Sequence, residues 1–190
     1  MKQLITILIS VLLTFASCKG LRNEDKVLKL NDFEFESIFG STTSDPKSTY
    51  CLLGTGIFRT PRSDISDSLI SDWIKTHPKA TVIPVSSIGP IEIKDPDSKM
   101  VYCWIVEKQD TLNNYLIRNG CFPGGTMIRP KTWDEMEKWE KEFYEDSDEK
   151  MDVKVLIDNE VYDDFIEQIK SAELYAKDKK LGIWEKETEE

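Results

Sequence analysis

Hydrophobic and polar residues alternate from Val27 to Phe39, with Phe33 and Phe35 on one side and Asp32, Glu34 and Glu36 on the other. That period of two predicts a half-exposed strand. The stretch from Gly40 to Ser48 is rich in Ser, Thr, Asp and Pro and predicts a loop. Tyr50 to Phe58 predicts a second strand, in which Gly54 and Gly56 mark a bend or a close backbone approach. Ile65, Leu69, Ile70, Trp73 and Ile74 then recur at helical spacing, from a cap at Ser63 or Asp64 to a stop at Pro78. Ala80 to Val85 predicts a strand whose Pro84 requires an edge or a bulge. Met100 to Val106 is apolar at almost every position, as expected of a central strand covered on both faces. A short helix runs from a cap at Asp110 to Asn119, with Gly120 where a left-handed C-cap is wanted.

A second region starts at Pro130. Thr132 and Glu135 have capping-box spacing, and Trp133, Met136, Trp139 and Phe143 form one apolar stripe. The stripe is expected to contact the core, with partner docking as the alternative. An acidic turn, Glu145 to Asp152, leads to a short apolar run, Val153 to Ile157. A last helix starts near Asn159 and carries Val161, Phe165, Ile169, Ala172 and Ala176 on one face until Gly182 breaks it. Ile183 and Trp184 are then free to fold back onto the core. No internal repeat is present. Strands interrupted and followed by helices predict an α+β domain built on a small closed or partly closed barrel.

The first seventeen residues stand apart from this pattern. Lys2 is followed by an apolar run from Leu4 to Thr14, and Phe15-Ala16-Ser17 sets small residues before Cys18. The run is too short for a membrane-spanning helix. Residues 1–17 resemble a bacterial lipoprotein signal, with Phe15 where an aliphatic residue is usual; an ordinary secretory signal cut near Ser17 is the alternative. On the lipoprotein reading Cys18 is acylated and holds the protein to membrane lipid, each buried methylene contributing roughly 0.8 kcal/mol. Residues 18–26 are a polar tether, 27–184 the folded domain, and 185–190 a frayed tail. The expected location is the cell envelope, facing the periplasm or the exterior. Cys51, Cys103 and Cys121 remain, the first two in apolar runs, and are expected to be buried thiols ahead of a disulfide pair.

Charge narrows the functions. The 190 residues carry 35 acidic and 25 basic side chains, a formal charge of -10. Such a balance repels polyphosphate at long range, so general nucleic-acid binding is not expected.

The ending Ala176-Lys177-Asp178-Lys179-Lys180-Leu181-Gly182-Ile183-Trp184, the segment Ile117-Arg118-Asn119-Gly120 and the pair Thr60-Pro61 together resemble the staphylococcal nuclease (thermonuclease) family. The likeness covers roughly Tyr50 to Trp184, with 131–158 as an insertion. It implies a five-stranded OB-type barrel with about three helices plus the inserted helix. It also implies a calcium ion held by aspartates, a glutamate after Thr-Pro and two arginines, which together hydrolyse a phosphodiester. Here Arg59 precedes Thr60-Pro61 and Arg62 follows, where the resemblance implies carboxylates. An always-protonated guanidinium serves neither as base nor as calcium ligand. The metal-binding turn of the first hairpin has Gly40-Ser41-Thr42-Thr43 as its nearest approach, the expected strand arginines fall at Lys99 or Met100 and at Gly54, and Thr126 and Ile128 stand where base-stacking tyrosines are implied.

The expectation is therefore a nuclease-like domain without the catalytic and metal residues, acting as a binding or interaction module. Its candidate anion site is Arg59, Arg62, Lys99 and Arg118, for a phosphate-bearing ligand, with an envelope protein as another possible partner. The plainer role for Arg59 and Arg62 is pairing with Asp64 or Asp67 at a turn. No cofactor is expected. The alternative is a metal-dependent phosphodiesterase with a rebuilt calcium site drawing on Asp64, Asp67, Asp95 and Asp97. His77 is expected to be a polar helix end, Asp146, Asp148 and Asp152 a solvated acidic turn, and Phe122-Pro123-Gly124-Gly125 a bent loop near the barrel mouth.

Overall fold

The computed structural model describes residues 27–55, 61–92, 94–124, 131–145 and 152–185. Among them, eight strands form one curled sheet shaped as a half-barrel, accompanied by four α-helices. The α+β class and the barrel-like curl agree with the sequence.

The first strand expectation needs correction. Val27 to Phe39 is not continuous: β1 (Leu28–Lys29) and β2 (Glu34–Glu36) are separated by a 3₁₀ turn, Leu30–Asp32, and a two-residue turn at Ser37 and Ile38 then leads into β3 (Phe39–Ser41). Leu30 is buried and its N–H donates to Ala80 O, so the break turns the chain inward. Phe33 and Phe35 do share a side, with ring centroids 6.0 Å apart, and Phe33 meets Tyr50 edge-on at 4.8 Å. Gly40 and Ser41 lie within β3 and form no hairpin turn. Gly40 is narrow for a reason: a Cβ there would strike the Phe35 ring.

β4 (Ser48–Leu52) runs parallel to β6 (Lys99–Glu107), and β6 is flanked on its other side by antiparallel β5 (Thr81–Gly89). The sheet order is β1-β5-β6-β4-β3-β2; β7 (Asp110–Thr111) pairs with β6, and β8 (Asp152–Val155) with β5. β6 is the central strand, buried from Val101 to Ile105, as its unbroken apolar run predicts. β5 continues past Val85 to Gly89, and its register slips between Pro84 and Ser86. The proline lacks an N–H for the ladder, and the bulge accommodates it.

α1 (Ser66–Thr76) follows β4 but starts later than the caps at Ser63 or Asp64 suggest. Ser63 O accepts from Ser66 N–H in a preceding turn, and Ile65 is left 52% exposed, off the apolar face. Ile70 and Trp73 are the residues that this face buries. His77 ends α1, stacked on Trp73 at 3.9 Å with Nδ1 2.9 Å from Trp73 O, the expected polar helix end.

α2 (Leu112–Arg118) is tied to the sheet by buried Asn113, whose Nδ2 donates to Leu53 O and Cys103 O while its Oδ1 accepts from Ile105 N–H. α4 (Asn159–Asp178) lies over the sheet through Phe165, which stacks on Trp104 at 4.4 Å, and through Ile169, Ala172 and Ala176. Gly124 and Phe122 fold under these helices, Phe122 fully buried, so this loop is core lining. Cys51, Cys103 and Cys121 are buried free thiols. Burial among apolar groups pushes Cys51 up to about 12 and Cys121 up to about 11.

The inserted region departs most from expectation. Thr132 N–H donates to Glu135 Oε2 at 2.8 Å, as capping-box spacing predicts, but the turn it opens is a 3₁₀ turn, Trp133–Glu135. Helix α3 starts only at Lys138 and ends at Glu145. With Met136 in extended backbone between them, the stripe is not on one helix. Trp133 is 48% and Trp139 65% exposed, so neither joins the core. The expectations for Asp146 and Asp148, and for residues 1–26 and 186–190, fall outside the described residues. No helix among the described residues is long and apolar enough to cross a membrane.

Candidate anion site between two helices

Arg59, Thr126 and Ile128 lie outside the described residues, which leaves Arg62, Lys99 and Arg118 to be placed. Each is held by a different part of the fold.

Arg62 reaches the turn of the first hairpin. Its Nη1 donates to Ser37 Oγ at 3.2 Å and lies 3.9 Å from Asp67 Oδ1 in the first turn of α1. The pairing with Asp67 is the plainer role foreseen for it, and both side chains are about half exposed. The Ser63 N–H donates to Cys121 O and fixes this loop against the end of α2. Ser37 adopts φ 57°, so the hairpin turn presents its hydroxyl from a left-handed position.

Lys99 sits at the opposite end of β4. It pairs with Ser48 in the parallel register, whereas the Ser37 turn adjoins Leu52, whose N–H donates to Ile38 O. Lys99 Nζ is 3.6 Å from Asp45 Oδ2, which also accepts from Tyr50 OH at 3.3 Å. Beside it, Lys47 Nζ bridges Asp95 Oδ1 at 3.0 Å and Asp97 Oδ2 at 2.7 Å. The Asp97 carboxylate, and Asp95 after it, raise the Lys47 ammonium above its ordinary value. In return Lys47, with the Asp97 N–H, holds the Asp95 carboxyl below its own. An ammonium thus stands between the two carboxylates considered as rebuilt metal ligands. Lys47 was not singled out from sequence, because nothing near position 47 signals a partner fifty residues away. Among the described residues, no three His, Cys, Asp or Glu side chains are gathered as a metal group.

Arg118 is different. It ends α2, and its guanidinium carbon sits 3.7 Å from the centroid of the Tyr175 ring on α4. Stacking of this kind fixes the plane of the guanidinium while leaving its edge of N–H donors open. Among the described residues Arg118 makes no hydrogen bond or ion pair. It lines a groove of about 450 Å³ between α2 and α4, together with Asn114 on its own helix and Asp164, Gln168 and Ser171 on the other. Positions 114 and 118 are one turn apart, as are 164, 168 and 171, which brings both sets onto facing sides. Asn114 Nδ2 donates to Gln168 Oε1 at 3.1 Å, and Asn114 Oδ1 is buried without a hydrogen-bond partner. The α4 wall was missed from sequence because its polar residues read as the solvent face of an amphipathic helix. Only the docking of α2 turns that face into a wall.

A stacked, unpaired guanidinium beside amide and hydroxyl groups is equipped to take a carboxylate or phosphate through paired charge-assisted hydrogen bonds. No family model and no curated protein matches the chain.

Proposed function

We propose that the protein is a bacterial envelope lipoprotein, anchored to membrane lipid through Cys18, whose nuclease-like domain is a binding module for small anionic groups and not a nuclease. The observation that carries this reading is Arg118, stacked on Tyr175 and without a carboxylate partner in its groove. Arg62 supports it from the other side: a cation reaches between the first hairpin turn and α1, where the resemblance implies carboxylates. The leader ending at Cys18 is the support for export and lipidation.

The barrel is read as OB-type with five strands. In that reading β1 and β2 are one interrupted first strand, followed by β3, β4, β5 and β6. The parallel β4–β6 pair and the placing of α1 between β4 and β5 support it.

The test is thermal denaturation of the full chain with inorganic phosphate and with a nucleoside monophosphate. A saturable rise in Tm that disappears in Arg118→Gln is expected. Retention there with loss in Arg62→Ala moves the site to the hairpin end. Calcium-dependent release of acid-soluble nucleotides, lost in Asp67→Ala, overturns the reading in favour of a metal-dependent phosphodiesterase.

A second reading, an envelope-protein partner for the inserted segment, is favoured by the exposure of Trp133 and Trp139. Co-purification of an envelope protein that is lost in Trp139→Ala tests it.

A further inference from the structure

The surface around Arg118 is not only polar. Tyr115, one turn before Arg118 on α2, is 37% exposed. On α4 the Tyr175 ring that carries the guanidinium is 36% exposed, and Leu174 beside it is 67% exposed. Leu174 lies one turn beyond Ser171, which lines the groove. Two tyrosines, an arginine and a leucine thus border the seam between α2 and α4 on its solvent side. Asp178, one turn after Tyr175, is held by Lys179 Nζ at 2.9 Å, and Arg118 has no carboxylate partner among the described residues. Its charge is left uncompensated beside exposed apolar surface.

We propose that this surface docks a peptide segment of another protein in which an acidic side chain stands beside an apolar one. The inference rests on the anion site proposed above and names the partner for it. The peptide carboxylate takes the open N–H edge of Arg118 by charge-assisted hydrogen bonds, and its apolar neighbour covers Leu174 and the rims of the tyrosines. Charge complementarity carries the choice of partner. With a formal charge of -10 the protein repels an acidic segment over most of its surface, so an uncompensated guanidinium is where such a segment is held. The side chains suit the task as well. Tyrosine and arginine are enriched at binding surfaces, and a guanidinium whose plane is already fixed by an aromatic ring loses little freedom when it is bound. A free small anion touches Arg118 alone and leaves Leu174 in water, whereas a peptide segment covers both.

Selection from a random heptapeptide display library on the immobilised full chain tests this. Enrichment of peptides with Asp or Glu next to Leu, Ile or Phe is expected, and Arg118→Gln should abolish it. For an enriched peptide, replacing the acid by its amide should weaken binding about tenfold in fluorescence anisotropy at low salt. Leu174→Ser should weaken the same peptide while leaving the Arg118-dependent stabilisation by inorganic phosphate unchanged. Both residues are exposed, so circular dichroism of the variants should match the parent. No Arg118-dependent enrichment, or peptide binding that Leu174→Ser leaves intact, overturns the peptide partner; stabilisation by phosphate that still needs Arg118 then retains the anion site. No Arg118-dependent response to either peptide or phosphate overturns both. Self-association in sedimentation that Arg118→Gln abolishes assigns the surface to a second copy of the chain and likewise overturns the peptide partner.

Discussion

Gly120 and Gly182, sixty-two positions apart in the chain, meet backbone to backbone: Gly120 O accepts from Ile183 N–H at 2.9 Å, and a Cβ on either glycine would collide with backbone at the other's turn. Both adopt positive φ, 68° and 55°. The end of α2 and the end of α4 are thereby locked together, which fixes the spacing of the groove that Arg118 lines.

Gly120→Ala and Gly182→Ala should each destabilise the protein by at least about 2 kcal/mol, since left-handed strain adds to the backbone collision. Urea denaturation should show a lower midpoint with an unchanged slope. A loss below about 0.5 kcal/mol would mean that the two turns are not in contact.

Asn113→Ala should cost on the order of 3 kcal/mol, because it strands the buried Ile105 N–H and the Leu53 carbonyl and leaves the Cys103 carbonyl only the Leu53 N–H. Asn113→Asp should be no milder, because a carboxylate facing two carbonyls accepts where donation is needed. Equilibrium unfolding of both variants checks the pair.

The three described cysteines should resist alkylation in the native protein and react together in denaturant. Their protection has a pH signature. Cys51 is pushed up from 9.0 to about 12, so the folded state favours the neutral thiol. Its contribution is present in full below about pH 9, and is lost as pH rises from there through the folded value. Stability measured from pH 8 to 11 should fall, and Cys51→Ser should fall less steeply over that window.

Acid acts through another pair. Lys47 holds the Asp95 carboxyl below its ordinary 3.8, so this contribution is present above that value and is lost as pH drops through the lower folded one. Lys47→Met should lift the Asp95 carboxyl toward its ordinary value, as followed by carboxyl NMR shifts. An unchanged titration would remove Lys47 as its partner.

Much of the framework was legible in the sequence because local patterning is sufficient there. The unbroken run at Met100 to Val106 specified a doubly covered strand, Pro84 an edge or a bulge, of which the fold has the bulge, and Asn159 the start of the last helix. Legibility failed where long-range contacts override local pattern. Leu30 breaks the first strand because its N–H finds Ala80 O, a partner fifty residues on. Trp133 and Trp139 belong to one apolar stripe in the sequence, but extended Met136 parts the 3₁₀ turn of the first from the helix of the second, and spacing implies a shared face only on a continuous helix. Of the candidate site residues, sequence singled out Arg118 by position in a motif, yet nothing local indicated that Tyr175 would hold it.

The amino-acid sequence determined the α+β class, the buried character of the thiols and the glycines that end both helices, since each follows from composition, period or the steric needs of one residue. Tertiary structure alone decided which of Arg62, Lys99 and Arg118 are spent on neighbouring carboxylates and which is left open. Arg62, Lys99 and Arg118 are chemically alike along the chain. They differ because a charge is neutralised by whatever the fold brings within a few ångströms, and for Arg118 that is an aromatic ring instead of a carboxylate.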